Sequence, residues 1–156
     1  ELLPRVVEGL PATAAVSAGY AHTLALTRSG EVYSWGRGAH GRLGHGLMGD
    51  ELRPRRISGV AGAAAVGAGL EHSVVALRNG GVLTFGSVEL GGLGLGEPAV
   101  EEDVLAPRAV EGLAGAQTVA AGSSVTAVVD MEGRVHMFGD NTDGLQGHAQ
   151  PGVHAR

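Results

Sequence analysis

Short stretches of small and apolar residues recur along this chain, each closed by glycine. Residues 14–18 (Ala-Ala-Val-Ser-Ala) form one, closed by Gly19, with counterparts at 64–68 and 117–121. His22, Thr23, Leu24, Ala25, Leu26 and Thr27 follow, with Leu24 and Leu26 on one face and small residues on the other. A period of two predicts a strand. Sharp turns come next, at Ser29-Gly30, Asn79-Gly80 and Glu132-Gly133. Asn-Gly between apolar runs is a strong hairpin signal, because such turns need positive φ. The return strands are Val32-Tyr33-Ser34-Trp35, Val82-Leu83-Thr84-Phe85 and Val135-His136-Met137-Phe138. A further extended stretch follows each proline, as in Arg5-Val6-Val7 and Arg55-Arg56-Ile57. Proline lacks an N–H and suits the start of an edge strand. No segment shows a 3.6-residue period, so helices should be few.

The stretches belong to one frame that occurs three times. Pro4, Gly9, Gly19, His22, Gly30, Trp35, Gly36, Gly41 and Gly44 set a frame that returns 50 residues later, from Pro54 to Gly94, with Phe85 at the Trp35 position. They recur again after 53 more, from Pro107 to Gly147, with Val125 at the histidine position. A period near 50 marks an array of one supersecondary unit. The predicted repeats run over 4–53, 54–106 and 107–150 of a single partial domain. The three extra residues fall around 97–103, as an insertion in a surface loop would. Strand faces are apolar or small on both sides, as in sheets stacked face to face around a propeller axis.

Composition narrows the chemistry. Aromatic residues are 3% of the chain and hydrophobic residues 44%, so the core must be built from Ala, Val and Leu, with Trp35 among its few rings. There is no cysteine, hence no disulfide and no thiolate metal site. All eleven basic residues are Arg, and the formal charge is −5, which disfavours a nucleic-acid partner. No apolar run approaches the roughly 20 residues of a membrane-spanning helix. The chain begins at Glu1 and reads as a piece of something longer, of intracellular and more cytoplasmic than nuclear character.

Several residue groups invite a chemical reading. Gly36, Gly38 and Gly41 match G-x-G-x-x-G after a strand, but no helix follows to receive a phosphate, so a loop between blades is expected. His22 and His72 form one repeated pair, and His45 and His148 another. Metal binding needs three or four converging ligands, and equivalent residues lie on different units, so structural roles are expected. Asp140, Asn141, Thr142, Asp143 and Gly144 miss the calcium-loop spacing and read as a turn. Ser123 and Ser124 have no G-x-S-x-G context. No catalytic residue, cofactor or metal ligand is assigned. The candidate partner contacts are the acidic run Glu101, Glu102 and Asp103 in the longest loop, and the basic cluster Arg53, Arg55 and Arg56 around Pro54. Their plainer readings are a solvated loop and a solvated edge strand.

The stretch from Ser17 through Leu26, followed by Gly30-Glu31-Val32-Tyr33-Ser34-Trp35-Gly36 and Gly41-Arg42-Leu43-Gly44-His45-Gly46, resembles the repeat of the regulator of chromosome condensation family. The resemblance runs from Pro4 to about His148. It implies a seven-bladed β-propeller of four-stranded antiparallel sheets, with further blades or neighbouring chains covering the open ends. It permits guanine-nucleotide exchange on a small GTPase, or recognition within a larger enzyme such as a ubiquitin ligase. The reading favoured by the varied loops and regular frame is a non-catalytic scaffold for other proteins.

Overall fold

The computed structural model describes residues 3–89, 92–96 and 102–147, which build three antiparallel sheets. Sheet 1 has the order β1 (Thr13–Ala18), β2 (His22–Thr27), β3 (Val32–Gly36) and β4 (Glu51–Arg56). Sheet 2 repeats it with β5 (Ala63–Ala68), β6 (His72–Leu77), β7 (Val82–Gly86) and β8 (Val104–Ala109). Sheet 3 has three strands among the described residues, β9 (Ala116–Ala121), β10 (Val125–Asp130) and β11 (Val135–Gly139). The described residues contain no α-helix, only a 3-10 turn at Ala39–Gly41. First strands pack on one another, β1 on β5 and β5 on β9, with no comparable packing between β4 and β8. The sheets therefore converge on their first strands, as wedges around an axis.

Two apolar layers hold the wedges together. Leu24, Leu26 and Val32 of sheet 1 meet Val75 and Phe85 of sheet 2 in the first. Val74, Ala76 and Val82 of sheet 2 meet Ala116 and Val128 of sheet 3 in the second. Sheet 2 is thus covered on both faces, and Val74, Val75 and Ala76 are all fully buried in succession. This is why β6 shows no alternation with charge. Each fully buried valine or leucine contributes roughly 1.5–3 kcal/mol.

The turns carry the positive φ that the glycines predict, at +87° for Gly30, +85° for Gly80 and +77° for Gly133. Gly30 N–H donates to Thr27 O at 3.0 Å, and Thr27 N–H to Glu31 O at 2.9 Å. Asn79 is not at positive φ. The hairpins are therefore three-residue loops ending in a left-handed glycine, not two-residue turns. Their tips reach the next sheet: Ala63 N–H donates to Gly30 O and Ala116 N–H to Gly80 O, both at 2.9 Å.

Three expectations need correction. Pro54 and Pro107 lie within β4 and β8, not at their starts. These strands are outermost, with one side unpaired, so a missing N–H there need break no ladder bond. Each proline-bearing strand closes the preceding sheet, and sequence repeat and sheet are offset accordingly. Arg5, Val6 and Val7 form no strand, and Val6 is 91% exposed, because no strand among the described residues stands to them as β3 stands to β4. Trp35 is only half-buried, whereas Phe85, its counterpart, is fully buried. Phe85 is covered by the glycine loop of sheet 1, and among the described residues no glycine loop lies on Trp35 in the same way.

Candidate interaction surface

The buried polar side chains repeat as strictly as the glycines. Ser73 Oγ donates to Arg42 O at 2.8 Å, which uses its only proton. It must then accept from His22 Nε2, also at 2.8 Å. Thr126 Oγ1 donates to Gly92 O at 2.7 Å and accepts from His72 Nε2 at 3.0 Å. Each histidine thus reaches from its own sheet to a hydroxyl on the next, and the hydroxyl reaches back to the loop of the first. This fixes the Nε2–H tautomer, and the buried Nδ1 of His22 has no hydrogen-bond partner among the described residues. Burial holds His22 down to about 4, with the Arg42 charge and then His72 adding to the effect. Burial likewise holds His72 down to about 4. Both are neutral latches between sheets, the structural role expected of them. Within a single sheet, Ser34 Oγ donates to Leu43 O at 2.7 Å and lies 3.0 Å from His45 Nε2. Burial, then the Arg55 charge, lowers the His45 pKa. His148 lies outside the described residues.

The glycine loop after β3 is the expected connection between blades. Gly41 beds on Leu105 of β8, where a Cβ would stand 2.7 Å from Leu105 Cα. Gly46 N–H donates to Leu105 O at 2.8 Å. Gly38 N–H donates to Asp50 Oδ1 at 2.9 Å, closing the loop base. His40, at the crown, has φ +61°, a left-handed conformation otherwise held by glycine among the described residues. Its Nδ1 stands 2.8 Å from Asp103 Oδ2, and its Nε2 3.7 Å from Glu71 Oε1. Below it, Arg42 is 1% exposed. Its guanidinium donates to Ala39 O, Leu70 O and Glu71 Oε1 at 2.8–3.0 Å.

This network stitches the sheet 1 loop to the β7–β8 connection and walls a cleft of about 440 Å³. Met48, Val88 and Leu105 supply its apolar lining, and Glu89, Glu102, Asp103 and His40 its polar lining. Leu47 and Met48 are more than half exposed at this loop. Among the described residues no arginine lines the cleft, and its lining is apolar and acidic together.

Glu102 is exposed in that wall, and Asp103 is half-buried. Asp103 also accepts from Val88 N–H at 3.3 Å, so part of the acidic run serves the fold. Glu101 lies outside the described residues. The basic cluster lies elsewhere, on β4. Arg55 pairs with Glu51 at 2.5 Å and Arg56 with Glu31 at 2.8 Å, while Arg53 is exposed. Ser123, Ser124 and His72 line one small hollow, but the His72 Nε2 proton goes to Thr126. Asp140 caps the turn at Thr142, accepting from its N–H at 2.9 Å.

Sequence reasoning passed over His40, Arg42 and Glu71 as a group. A signal existed: Arg42 stands where the other repeats have Gly92 and Leu145, and Glu71 where they have Ala21 and Ser124. A charged pair breaking the frame in two adjacent repeats marks a local device. Asp130 was also missed. It is buried at the β10–β11 turn, bound by Arg134 and His136, and the hydrogen bond from His136 leads in holding its carboxyl well below the usual carboxylate range.

Comparison with known proteins places this architecture. The family model described as "Regulator of chromosome condensation (RCC1) repeat" matches residues 29–76 and 79–129, and a second of the same description matches 14–42. A segment of 52 residues is 44% identical to the E3 ubiquitin-protein ligase HERC2 of Mus musculus, covering 32% of this chain and 1% of the ligase. A segment of 34 residues is 53% identical to RCC1 domain-containing protein 1 of Mus musculus, covering 22% of this chain and 9% of that protein. The crystal structure of human WBSCR16 superposes with a TM-score of 0.73 at 29% identity, covering 81% of this chain and 33% of that one. Yeast RCC1 (Prp20), in its complex with Kap60, gives 0.75 at 21% identity, covering 85% and 33%. The chain therefore spans about a third of these solved chains and a small part of the curated relatives it matches. With its frame, sheets and latches all in place, the chain belongs to the regulator of chromosome condensation repeat family.

Proposed function

We propose that this chain is a non-catalytic interaction module whose cleft between the sheet 1 loop and β8 receives a basic, apolar-tipped segment of a partner protein. The observation that carries this is the cleft itself, with Met48, Val88 and Leu105 beside Glu89 and Glu102 and no arginine among its described lining residues. Such a surface complements cationic side chains and steers them in at low salt. The spent state of the buried polar groups supports a non-catalytic reading. His22, His72, Ser73, Thr126 and Arg42 are all committed to neighbouring sheets or backbone carbonyls. Prp20p of Saccharomyces cerevisiae is described with binding properties to Gsp1p and histones, and its structure matches at 21% identity, a likeness of fold. Histones have the basic chemistry the cleft would take.

The test is titration of the whole chain with core histones and with a lysine-rich peptide, at two salt concentrations. The E89Q/E102Q variant should weaken binding several-fold, and added salt should weaken it further. The R53A/R55A/R56A variant should not weaken it. Loss with the arginine variant instead would move the site to β4. Accelerated GDP release from Gsp1p would overturn the non-catalytic reading.

A further inference from the structure

We propose that an arginine of the partner's basic segment places its guanidinium in the hollow between sheets 2 and 3, a step that rests on the reading of the cleft above. Leu70, Glu71, Ser87, Glu89, Ser123 and Ser124 line that hollow, whose volume is about 70 Å³.

The molecule already shows such an occupant once. Between sheets 1 and 2 the corresponding place is filled by Arg42, which is 1% exposed. Its Nε donates to Ala39 O at 2.8 Å, its Nη1 to Leu70 O at 2.9 Å and its Nη2 to Glu71 Oε1 at 3.0 Å. One repeat further on, Glu89, Ser123 and Ser124 stand at the positions of these three acceptors. All three line the hollow. Gly92 stands at the position of Arg42 and has no side chain to fill it. The second seam thus has the walls of an arginine site without an arginine of its own.

Those walls suit a cation. Glu71 and Glu89 bring carboxylates, the three serines bring hydroxyls, and no arginine is among the described lining residues. Ser87 Oγ accepts from Glu89 N–H at 3.2 Å, which steadies the backbone whose carbonyl corresponds to Ala39 O. Ser123 O accepts from Leu70 N–H at 3.3 Å and, as a carbonyl, has a second lone pair to offer. Glu89 and Ser123 are exposed, so the hollow opens to solvent. Glu89 also lines the cleft, so a segment lying there passes the mouth of the hollow. Arg42 meets its three acceptors with three separate nitrogens. A planar guanidinium can span such a set and a compact ammonium cannot, so the hollow selects arginine over lysine.

Fluorescence anisotropy of labelled oligoarginine and oligolysine of equal length, titrated with the whole chain, measures that selection. The wild-type chain should bind oligoarginine about tenfold more tightly than oligolysine. G92Q refills the hollow from within and adds no charge, and a Cβ at this position meets nothing closer than 3.3 Å. It should remove the preference and leave oligolysine binding as it is. S124E supplies the carboxylate that Glu71 gives to Arg42, and should widen the preference several-fold. No preference in the wild-type chain, a preference that survives in folded G92Q, or one that S124E leaves unchanged would each overturn the assignment. S124E decides the matter should G92Q fail to fold. Glu102 lines the cleft and not the hollow, so E102Q should weaken both peptides alike. Loss in E102Q without any arginine preference strikes the hollow and keeps the cleft. An arginine preference that G92Q removes, with E102Q silent, strikes the cleft and keeps the hollow.

Discussion

Gly44 lies against the ring of Phe85, so closely that a Cβ built on it would stand 2.8 Å from Phe85 Cε2. Its φ of +74° adds a second reason for glycine. Gly46 separates the two causes, having φ +77° and nothing within 4 Å of its ideal Cβ. G46A should cost about 1 kcal/mol, from backbone strain alone. G44A should cost about 1–3 kcal/mol more, because the ring has nowhere to move. Urea unfolding of the two variants measures the difference. Equal losses would mean that the glycine loop does not seal the first seam.

The hairpin glycines should also rank. A Cβ on Gly80 would meet Gly115 N at 2.7 Å, whereas one on Gly30 would meet Gly62 Cα at 3.2 Å. Both lie at positive φ, so Gly30→Val and Gly80→Val should each destabilise by more than about 1 kcal/mol. G80V should be the worse, since it also pushes on the backbone entering β9. Unchanged melting in both would contradict the turn geometry.

Phe85→Ala should cost roughly 3–5 kcal/mol, as for a fully buried ring. Trp35→Ala should cost clearly less, since that ring is partly exposed. Thermal melts of the two variants decide the order, and its reversal would mean that the first face is sealed in solution.

Stability should fall on acidification through a defined window. Burial keeps His22 and His72 at about 4 in the folded chain, against an ordinary value of 6.5. Between those values the unfolded chain takes up protons that the folded chain refuses. The contribution is therefore complete above about pH 6.5 and is lost as pH falls toward 4. It amounts to on the order of 3 kcal/mol per histidine over the whole window. The H22Q/H72Q variant should unfold with much less dependence on pH between 6.5 and 4. A slope equal to wild type would place the two rings in solvent.

The fold was legible because its grammar is local. Glycines at positive φ, strand alternation and a period near 50 are all written in neighbouring residues, and they led to wedge-shaped sheets without coordinates. What escaped depended on contacts between repeats. Trp35 reads as core from its own strand, yet among the described residues no loop covers it as one covers Phe85, and it is partly exposed. Nothing local to Arg42 foretells its burial, which the Ala39 and Leu70 carbonyls and the Glu71 carboxylate satisfy together. Asp103 reads as part of a solvated acidic run until His40 is brought to it across 63 positions. The candidate site is a junction between sheets, and composition cannot announce a junction.

Pro54 and Pro107 sit within the outermost strands of sheets 1 and 2 and leave those two edges one donor short. An intruding strand seeking to zip onto that border would find its ladder interrupted midway. Along these two borders the seam between sheets, not the strand edge, is the surface that can grow by pairing like with like.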